Sequence, residues 1–295
     1  MRGPIYAVSG APVATSSSPH LFRLVLAHLF RQGVVDADPR QAVAAWIEAT
    51  TCAEALAALE GLAHGPLDAQ HGSLALEVAG TRPSPVDVPA RRIGPDSSRW
   101  MSLTSPLKHD LGAWTHLDES AAIRSVNTLR VEEGRVLAMT TDGQGVVQVA
   151  DALGLGPRGG GVLALRGGGG AARSTAQAWC SRGGRLHLSE GRRPLDLRPE
   201  WSLSDEASAG FGVNFDADGH DLLCDTRLEA TYRCGAPSVN NGKLGADVVD
   251  GRWMLVAQHL EAWRACWAPH VADLLPKIEV LVEDLLEMER RWAHA

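Results

Sequence analysis

The stretch from Val162 to Ser189 constrains the fold more than any other. It reads as a short apolar strand, V-L-A-L (162–165), then Arg166, the run G-G-G-G-A-A-R (167–173), a helix to about Ser181, and a second strand, R-L-H-L-S (185–189). Strand, glycine turn, helix and strand in that order form the opening βαβ unit of a dinucleotide-binding sheet. Gly167, Gly168, Gly169 and Gly170 let the backbone approach a pyrophosphate, whose charge the N-terminus of the following helix, beginning near Ala171, stabilises. A glycine run alone reads equally well as a plain turn in a chain rich in alanine and arginine. The flanking strand and helix tip the reading toward a cofactor.

A chain of 295 residues with 45% hydrophobic and 21% charged residues and 31 glycines fits a soluble α/β enzyme of two domains. No stretch approaches the length of a membrane-spanning helix. The N-terminus, M-R-G-P-I-Y-A-V-S-G, lacks the long apolar core of a signal peptide, so a cytoplasmic location is expected. Five scattered cysteines (52, 180, 224, 234 and 266) include no C-x-x-C and read as reduced and structural. The 11 histidines form no metal-binding cluster, so no metal is expected. A net charge of -7 argues against nucleic acid, which requires a concentrated basic face, and leaves a small molecule as the expected ligand. Monomer and homodimer both remain open.

Along the chain, I-Y-A-V-S-G (5–10) reads as a buried strand, and Ser18-Pro19 starts a helix running to Gln32. Residues 36–62 are alanine-rich and read as helical, with Val43, Trp46, Ile47, Leu56 and Leu59 as apolar positions. S-L-A-L-E-V-A (73–79) is a strand candidate, and the Pro/Arg/Ser-rich segment 81–99 reads as a loop. D-L-L-C-D (221–225) is strand-like. From Gly251 onward the chain is helical, interrupted around Pro269 and Pro276.

Among 28 basic residues only Lys108, Lys243 and Lys277 are lysines. A lysine amine can act as an acid or a base, whereas arginine keeps its proton, so a lysine in an arginine-biased chain points to amine chemistry. Lys108 in T-S-P-L-K (104–108) and Asp142 in T-T-D-G-Q-G (140–145) both sit at strand-to-helix junctions and read as a proton-transfer pair. Ser105 and Pro106 read as N-cap and first helical residue, which places Lys108 in a first turn whose dipole repels it. The plain alternatives are a solvent-facing lysine and an Asp-Gly turn.

Six segments in order resemble the shikimate dehydrogenase family, over most of the chain. Y-A-V-S-G-A-P-V-A-T-S-S-S-P (6–19) is similar to the family's G-x-P-I-x-H-S-x-S-P, L-T-S-P-L-K (103–108) to its V-T-x-P-x-K, and S-V-N-T-L (125–129) to its A-V-N-T. T-T-D-G-Q-G resembles N-T-D-G-x-G, G-G-G-G-A-A-R resembles G-A-G-G-A-A-R, and V-D-G-R-W-M-L-V-A-Q (249–258) resembles G-x-x-M-L-V-x-Q.

The resemblance implies an α/β fold of two domains. Residues 1–147, completed by helices in 252–295, would bind substrate, and 148–251 would form a Rossmann-type NAD(P) domain. It implies reversible reduction of 3-dehydroshikimate to shikimate, a step of aromatic amino-acid biosynthesis, with NADP as the family's usual cofactor and NAD as the alternative, and Lys108 as general acid/base beside Asp142. Ser16 and Ser18 would hold the substrate carboxylate, and Thr104, Asn127, Asp142 and Gln258 the ring hydroxyls. Gly167, Gly168, Gly169, Gly170, Ala171 and Gly251 would contact the cofactor.

Departures cluster in the cofactor half. Thr15 and Thr140 replace a histidine and an asparagine beside the substrate site, and residues 33–101 make a long connection that reads as an inserted helix or enlarged loop. Where NADP-dependent members carry an N-R-T-like motif, this chain has S-E-G-R-R (189–193). Glu190 there suits an unphosphorylated ribose and NAD, Arg192 and Arg193 suit a phosphate and NADP, and a solvated turn is the plain reading of all three. D-L-L-C-D-T-R (221–227) is open to alignment with either the family's asparagine-threonine motif or its tyrosine-bearing segment. The alternatives are therefore an NAD-dependent quinate or shikimate dehydrogenase, and a non-catalytic binder of shikimate-like ligands with a degenerate cofactor site.

Overall fold

The structure is a computed structural model that describes residues 3–62, 69–80, 99–206, 208–216, 218–245 and 247–293. Its strands form two sheets. The first has six strands, β1 (Ile5–Gly10), β2 (Val43–Glu48), β3 (Arg99–Leu103), β4 (Thr115–His116), β5 (Thr128–Glu132) and β6 (Arg135–Met139), in the order β2-β1-β3-β5-β6-β4. β1 is buried from Tyr6 onward and pairs parallel with β2 (Tyr6 opposite Ala44) and β3 (Tyr6 opposite Trp100). An apolar run of this kind suits a central parallel strand. β3, β5 and β6 then pair antiparallel, and the tight β5–β6 turn is made by Glu133 and Gly134, both at positive φ.

The second sheet is entirely parallel. β7 (Val162–Arg166), β8 (Arg185–Ser189), β9 (Ala209–Asn214), β10 (Cys224–Leu228) and β11 (Val248–Val249) lie in the order β11-β10-β9-β7-β8. The chain moves outward from β7 to β8, then crosses back to β9 and continues the other way. That reversal puts a topological switch point between the C-terminal ends of β7 and β9, where open α/β sheets bind their ligands.

Seven α-helices are described: α1 (Ser18–Arg31), α2 (Cys52–Gly61), α3 (Ala69–Ala79), α4 (Asp142–Ala152), α5 (Gly170–Cys180), α6 (Gly251–Ala262) and α7 (Ile278–Ala293). α6 is buried nearly all round and runs on into a π-helical turn at Trp263–Trp267 and a 3-10 segment at Pro269–Leu274. Trp267 Nε1 donates to Leu129 O at 3.0 Å, which brings the end of the chain back onto the first sheet. One apolar core runs from Tyr6, Trp100 and Trp263 through α4 and α5 to Leu163, Trp179 and Phe211, so both sheets share it. A second core lies between α2 and the other face of the first sheet. The five cysteines are free, and burial pushes the Cys52 and Cys266 thiols up to about 12. No helix among the described residues is long and apolar enough to cross a membrane.

Four local expectations need correction. Residues 43–48, expected to be helical, form β2, because Val43, Trp46 and Ile47 are good strand residues and β1 supplies a parallel partner. Residues 73–79, expected as a strand, belong to α3. Its buried residues, His71, Gly72, Ala75, Leu76 and Ala79, recur at helical spacing, while Leu74 and Val78, which gave the alternation, are half-buried. Gly72 is needed because a Cβ there would lie 2.4 Å from Pro39 O. β10 begins at Cys224 rather than Asp221. Ser105–Pro106 is a cis peptide leading into the three-residue 3-10 turn Leu107–His109, so Ser105 caps no α-helix and no α-helix dipole acts on Lys108. The long connection carries β2, α2 and α3; residues 63–68 and the expected loop at 81–98 lie outside the described residues.

Candidate active site

Lys108 and Asp142 meet. Lys108 Nζ donates to Asp142 Oδ2 at 2.6 Å; the lysine side chain is 19% exposed and the carboxylate 1%. Asp142 is the first residue of α4, where the helix dipole favours a negative charge. The glycines of T-T-D-G-Q-G then explain themselves by packing. A Cβ on Gly143 would lie 2.0 Å from Ser174 O of α5, and one on Gly145 2.8 Å from Met254 O of α6. They let α4 wedge between α5 and α6. Gly143 N donates to Ser174 Oγ at 2.8 Å, and Thr140 Oγ1 reaches the same hydroxyl at 2.8 Å, so Thr140 joins α4 to α5.

Asn127, at the entry to β5, organises the buried end of the site. Its Nδ2 lies 2.9 Å from Asp142 Oδ1, 3.0 Å from Thr141 Oγ1 and 3.2 Å from Gln258 Oε1. Its Oδ1 accepts from Thr141 N at 2.7 Å, and since a backbone N–H can only donate, that contact fixes the orientation of the amide. Both carboxylate oxygens of Asp142 are therefore engaged. Gln258, half-buried on α6, has its oxygen turned to Asn127, leaving its NH2 as a donor.

Two proline turns bring the serine loop beside the lysine loop. Ala11 N donates to Ser105 O at 2.9 Å, and a Cβ on Gly10 would lie 2.3 Å from Thr104 Cγ2, so the glycine permits the close crossing. Thr104 is half-buried next to it. Ser16 Oγ donates to Ser18 Oγ at 3.2 Å, and Trp46 Nε1 anchors Ser16 O at 2.8 Å. Tyr232, which the sequence did not single out, stands near Ser16; burial and the Glu289 carboxylate push its phenol up. Its signal was scarcity, since the chain has only two tyrosines. Arg252 stacks over the Tyr232 ring at 5.8 Å and is held by Asp250 and Glu289, all three being buried.

The glycine loop lies against this group. A Cβ on Gly170 would sit 3.1 Å from both Lys108 Cβ and Ser125 Oγ, so the lysine stem packs on the first residue of α5. Gly167 has φ +114, and Gly168 passes under the loop after β8, where a Cβ would lie 2.2 Å from Pro194 O. Ala171, half-buried, follows Gly170 on α5. At Gly169, the N-cap of α5, the Arg193 guanidinium lies 3.8 Å from a built Cβ, with no other described residue beyond the chain neighbours within 4 Å. Such a cradle, open at a helix N-terminus and faced by a cation, fits the diphosphate of a dinucleotide.

The structure separates residues that the sequence grouped. Arg192 turns away from Arg193: it lines a hollow of about 430 Å³ with Arg166, Glu190, Gly191 and His220, at the ends of β7 and β8. Arg192 N donates to Asp216 Oδ2 at 2.7 Å. Arg166 pairs with Asp218 at 2.7 Å across the switch point, well clear of the glycines it precedes. Gly251 packs against the end of β10, where a Cβ would lie 2.3 Å from Glu229 O. D-L-L-C-D-T-R leads into and forms most of β10; Asn214 ends β9 at the switch point, and Tyr232 follows β10.

No protein-family model matches the sequence, and no curated protein does. Solved structures do. The shikimate 5-dehydrogenase of Thermus thermophilus in complex with NADP(H) and shikimate superposes with a TM-score of 0.61 at 24% identity, covering 97% of this chain and 99% of that one. The shikimate dehydrogenase of Aquifex aeolicus gives 0.59 at 18% identity, covering 96% and 97%. The 5-ketofructose reductase of Gluconobacter sp. strain CHM43 gives 0.60 at 16% identity, covering 98% and 99%. The chain has the two-domain α/β fold of the shikimate dehydrogenases, in a sequence far diverged from theirs.

Proposed function

We propose that the chain is a shikimate dehydrogenase-like oxidoreductase that interconverts 3-dehydroshikimate and shikimate with a nicotinamide dinucleotide. The observation that carries this reading is the Lys108–Asp142 pair, at 2.6 Å, packed directly on the glycine loop at Gly170. A nicotinamide cofactor supplies the hydride. Residues 1–147 with 252–295 hold the substrate and 148–251 the cofactor. Negative charge develops on the ring oxygen during reduction, and the Lys108 ammonium is the proton donor; in the reverse direction the amine accepts that proton. Asp142 orients the ammonium and favours its charged form. Asn127, Gln258 and Thr104 offer neutral hydrogen bonds suited to ring hydroxyls. Ser16, Ser18 and Tyr232 offer hydroxyl donors suited to a carboxylate. Bound shikimate and NADP(H) in the Thermus protein of the same fold support the choice of ligands.

The 5-ketofructose reductase shares the fold, so substrate identity rests on the site and not on the architecture. The hollow at the end of β8 bears on the choice between NADH and NADPH. Exposed Glu190 there suits the free ribose of NADH and opposes a 2′-phosphate, while Arg192, its guanidinium near Asp216, is partly neutralised. NADH with 3-dehydroshikimate, or with dehydroquinate in place of it, is therefore the expected pair. The test is a rate measurement with each cofactor and each ketone, on the wild type and on Glu190→Ala. The variant should narrow the NADH preference; an unchanged ratio makes Glu190 a solvated turn residue. Consumption of neither cofactor at high protein concentration would leave a non-catalytic binder.

A further inference from the structure

Arg124, in A-A-I-R-S-V-N-T (121–128), has φ +52, a left-handed conformation that glycine adopts freely and arginine does not. A strained side-chain-bearing residue at a functional cleft calls for a use of that side chain. Arg124 is exposed, and its backbone is riveted to the glycine loop. Arg173 of α5 donates to Arg124 O at 2.5 Å, to Ile123 O at 2.7 Å and to Gly168 O at 2.9 Å, and its Nη2 lies 2.8 Å from Nδ1 of His109, the neighbour of Lys108. The exposed Arg193 guanidinium faces Gly169 at the N-cap of α5.

The charges here are unbalanced. Elsewhere in this acidic chain arginines meet carboxylates closely, as Arg166 does Asp218 at 2.7 Å and Arg252 does Glu289 at 2.7 Å. Among the described residues, no carboxylate lies within 4.0 Å of the guanidinium of Arg124, Arg173 or Arg193. Asp196 acts on Arg173 from farther off, and Arg124 and Arg193 both work against the charge on Arg173 and against a proton on His109. Like charges gathered at a helix N-terminus, which is itself positive, await an anion.

We propose that Arg124, from the substrate-side unit, and Arg193, from the glycine-loop unit, clamp the diphosphate of the bound dinucleotide at the α5 N-terminus, with Arg173 as the positioning residue that holds Arg124. This rests on the dinucleotide reading above. The anion would then bridge the two units beside Gly170, on which the Lys108 stem packs.

The test is calorimetric titration of the full chain with inorganic diphosphate and, separately, with NADH and NADPH. Arg124→Gly keeps the backbone conformation without strain, and Arg193→Ala removes the second guanidinium. Each should weaken diphosphate about tenfold or more, as loss of a charge-assisted contact does, and should flatten the salt dependence of binding. Arg173→Lys should weaken diphosphate in the wild-type background and add little in the Arg124→Gly background, because it acts through Arg124. Wild-type affinity for diphosphate in both Arg124→Gly and Arg193→Ala, or no diphosphate binding by the wild type, overturns the clamp. If diphosphate binds in an Arg124-dependent way while neither dinucleotide binds, the arginines hold an anion but the dinucleotide assignment and the oxidoreductase reading both fall.

Discussion

Asn127 sets the geometry of the site through one amide. Its oxygen is fixed by Thr141 N, so its nitrogen must face Asp142 and Gln258, and Asp142 in turn has one oxygen left for Lys108. The lysine is thus the exposed end of a rigid, buried chain of hydrogen bonds. That arrangement predicts a clean separation of binding from chemistry. Lys108→Ala should lower kcat roughly 10²–10⁴-fold, the range of a lost general acid, while shikimate affinity changes by only a few-fold because Asn127, Gln258 and the serines remain. Equilibrium titration of shikimate beside steady-state rates measures both; undiminished kcat would remove Lys108 from the reaction. At this scale the sequence was highly legible. Asn127, Asp142, Gln258, Ser16 and Ser18 all lie in short motifs, and residues that must meet at hydrogen-bond distance keep their chemical type. Tyr232 and Arg124 were not legible, because the meaning of the first depends on where β10 ends and that of the second on its φ.

The secondary-structure elements were legible where side-chain size and periodicity agree. β1 and β7 are apolar runs, β8 alternates, α1 opens at Ser18-Pro19 and α5 at the glycine run, and they fold as they read. α3 and β2 did not, for opposite reasons. Three of the five buried residues of α3 are small (Gly72, Ala75 and Ala79), so the half-buried Leu74 and Val78 carried the apparent period; β2 is alanine-rich, and its strand state is imposed by pairing with β1. α4 shows what such small residues do in a helix. Gly143→Ala would drive a methyl into Ser174 O at 2.0 Å, forcing α4 away from α5 and Asp142 away from Lys108. Overpacking of this kind costs about 1–3 kcal/mol, and the shift at Asp142 should lower kcat beyond what stability explains. Denaturant titration and kcat at a temperature where the variant is fully folded separate the two effects. A variant with wild-type stability would mean that α4 and α5 slide apart freely.

Across the whole molecule, the shared core means that loss of packing near the first sheet is felt by the second. His259 of α6 lies in that core, its Nε2 3.3 Å from Tyr6 Oη, which itself donates to Ser102 Oγ at 2.9 Å. Since the Tyr6 proton goes to Ser102, His259 Nε2 carries the hydrogen and donates to Tyr6, leaving Nδ1 as a bare acceptor without a partner among the described residues. Trp267 packs edge-on against the ring at 5.3 Å. Burial holds the imidazole neutral, lowering its pKa to about 3. The unfolded chain protonates the same ring near pH 6.5, so between those values the unfolded state binds more protons and acid favours unfolding. Stability should be unaffected by His259 above about pH 7 and should fall by about 2 kcal/mol between pH 7.5 and pH 5, a window in which exposed carboxylates stay ionised. Chemical denaturation across that range tests it, with His259→Gln as the control. The variant loses some packing at every pH but should lose the slope as well. A wild-type slope retained in His259→Gln would place the responsible proton on another group.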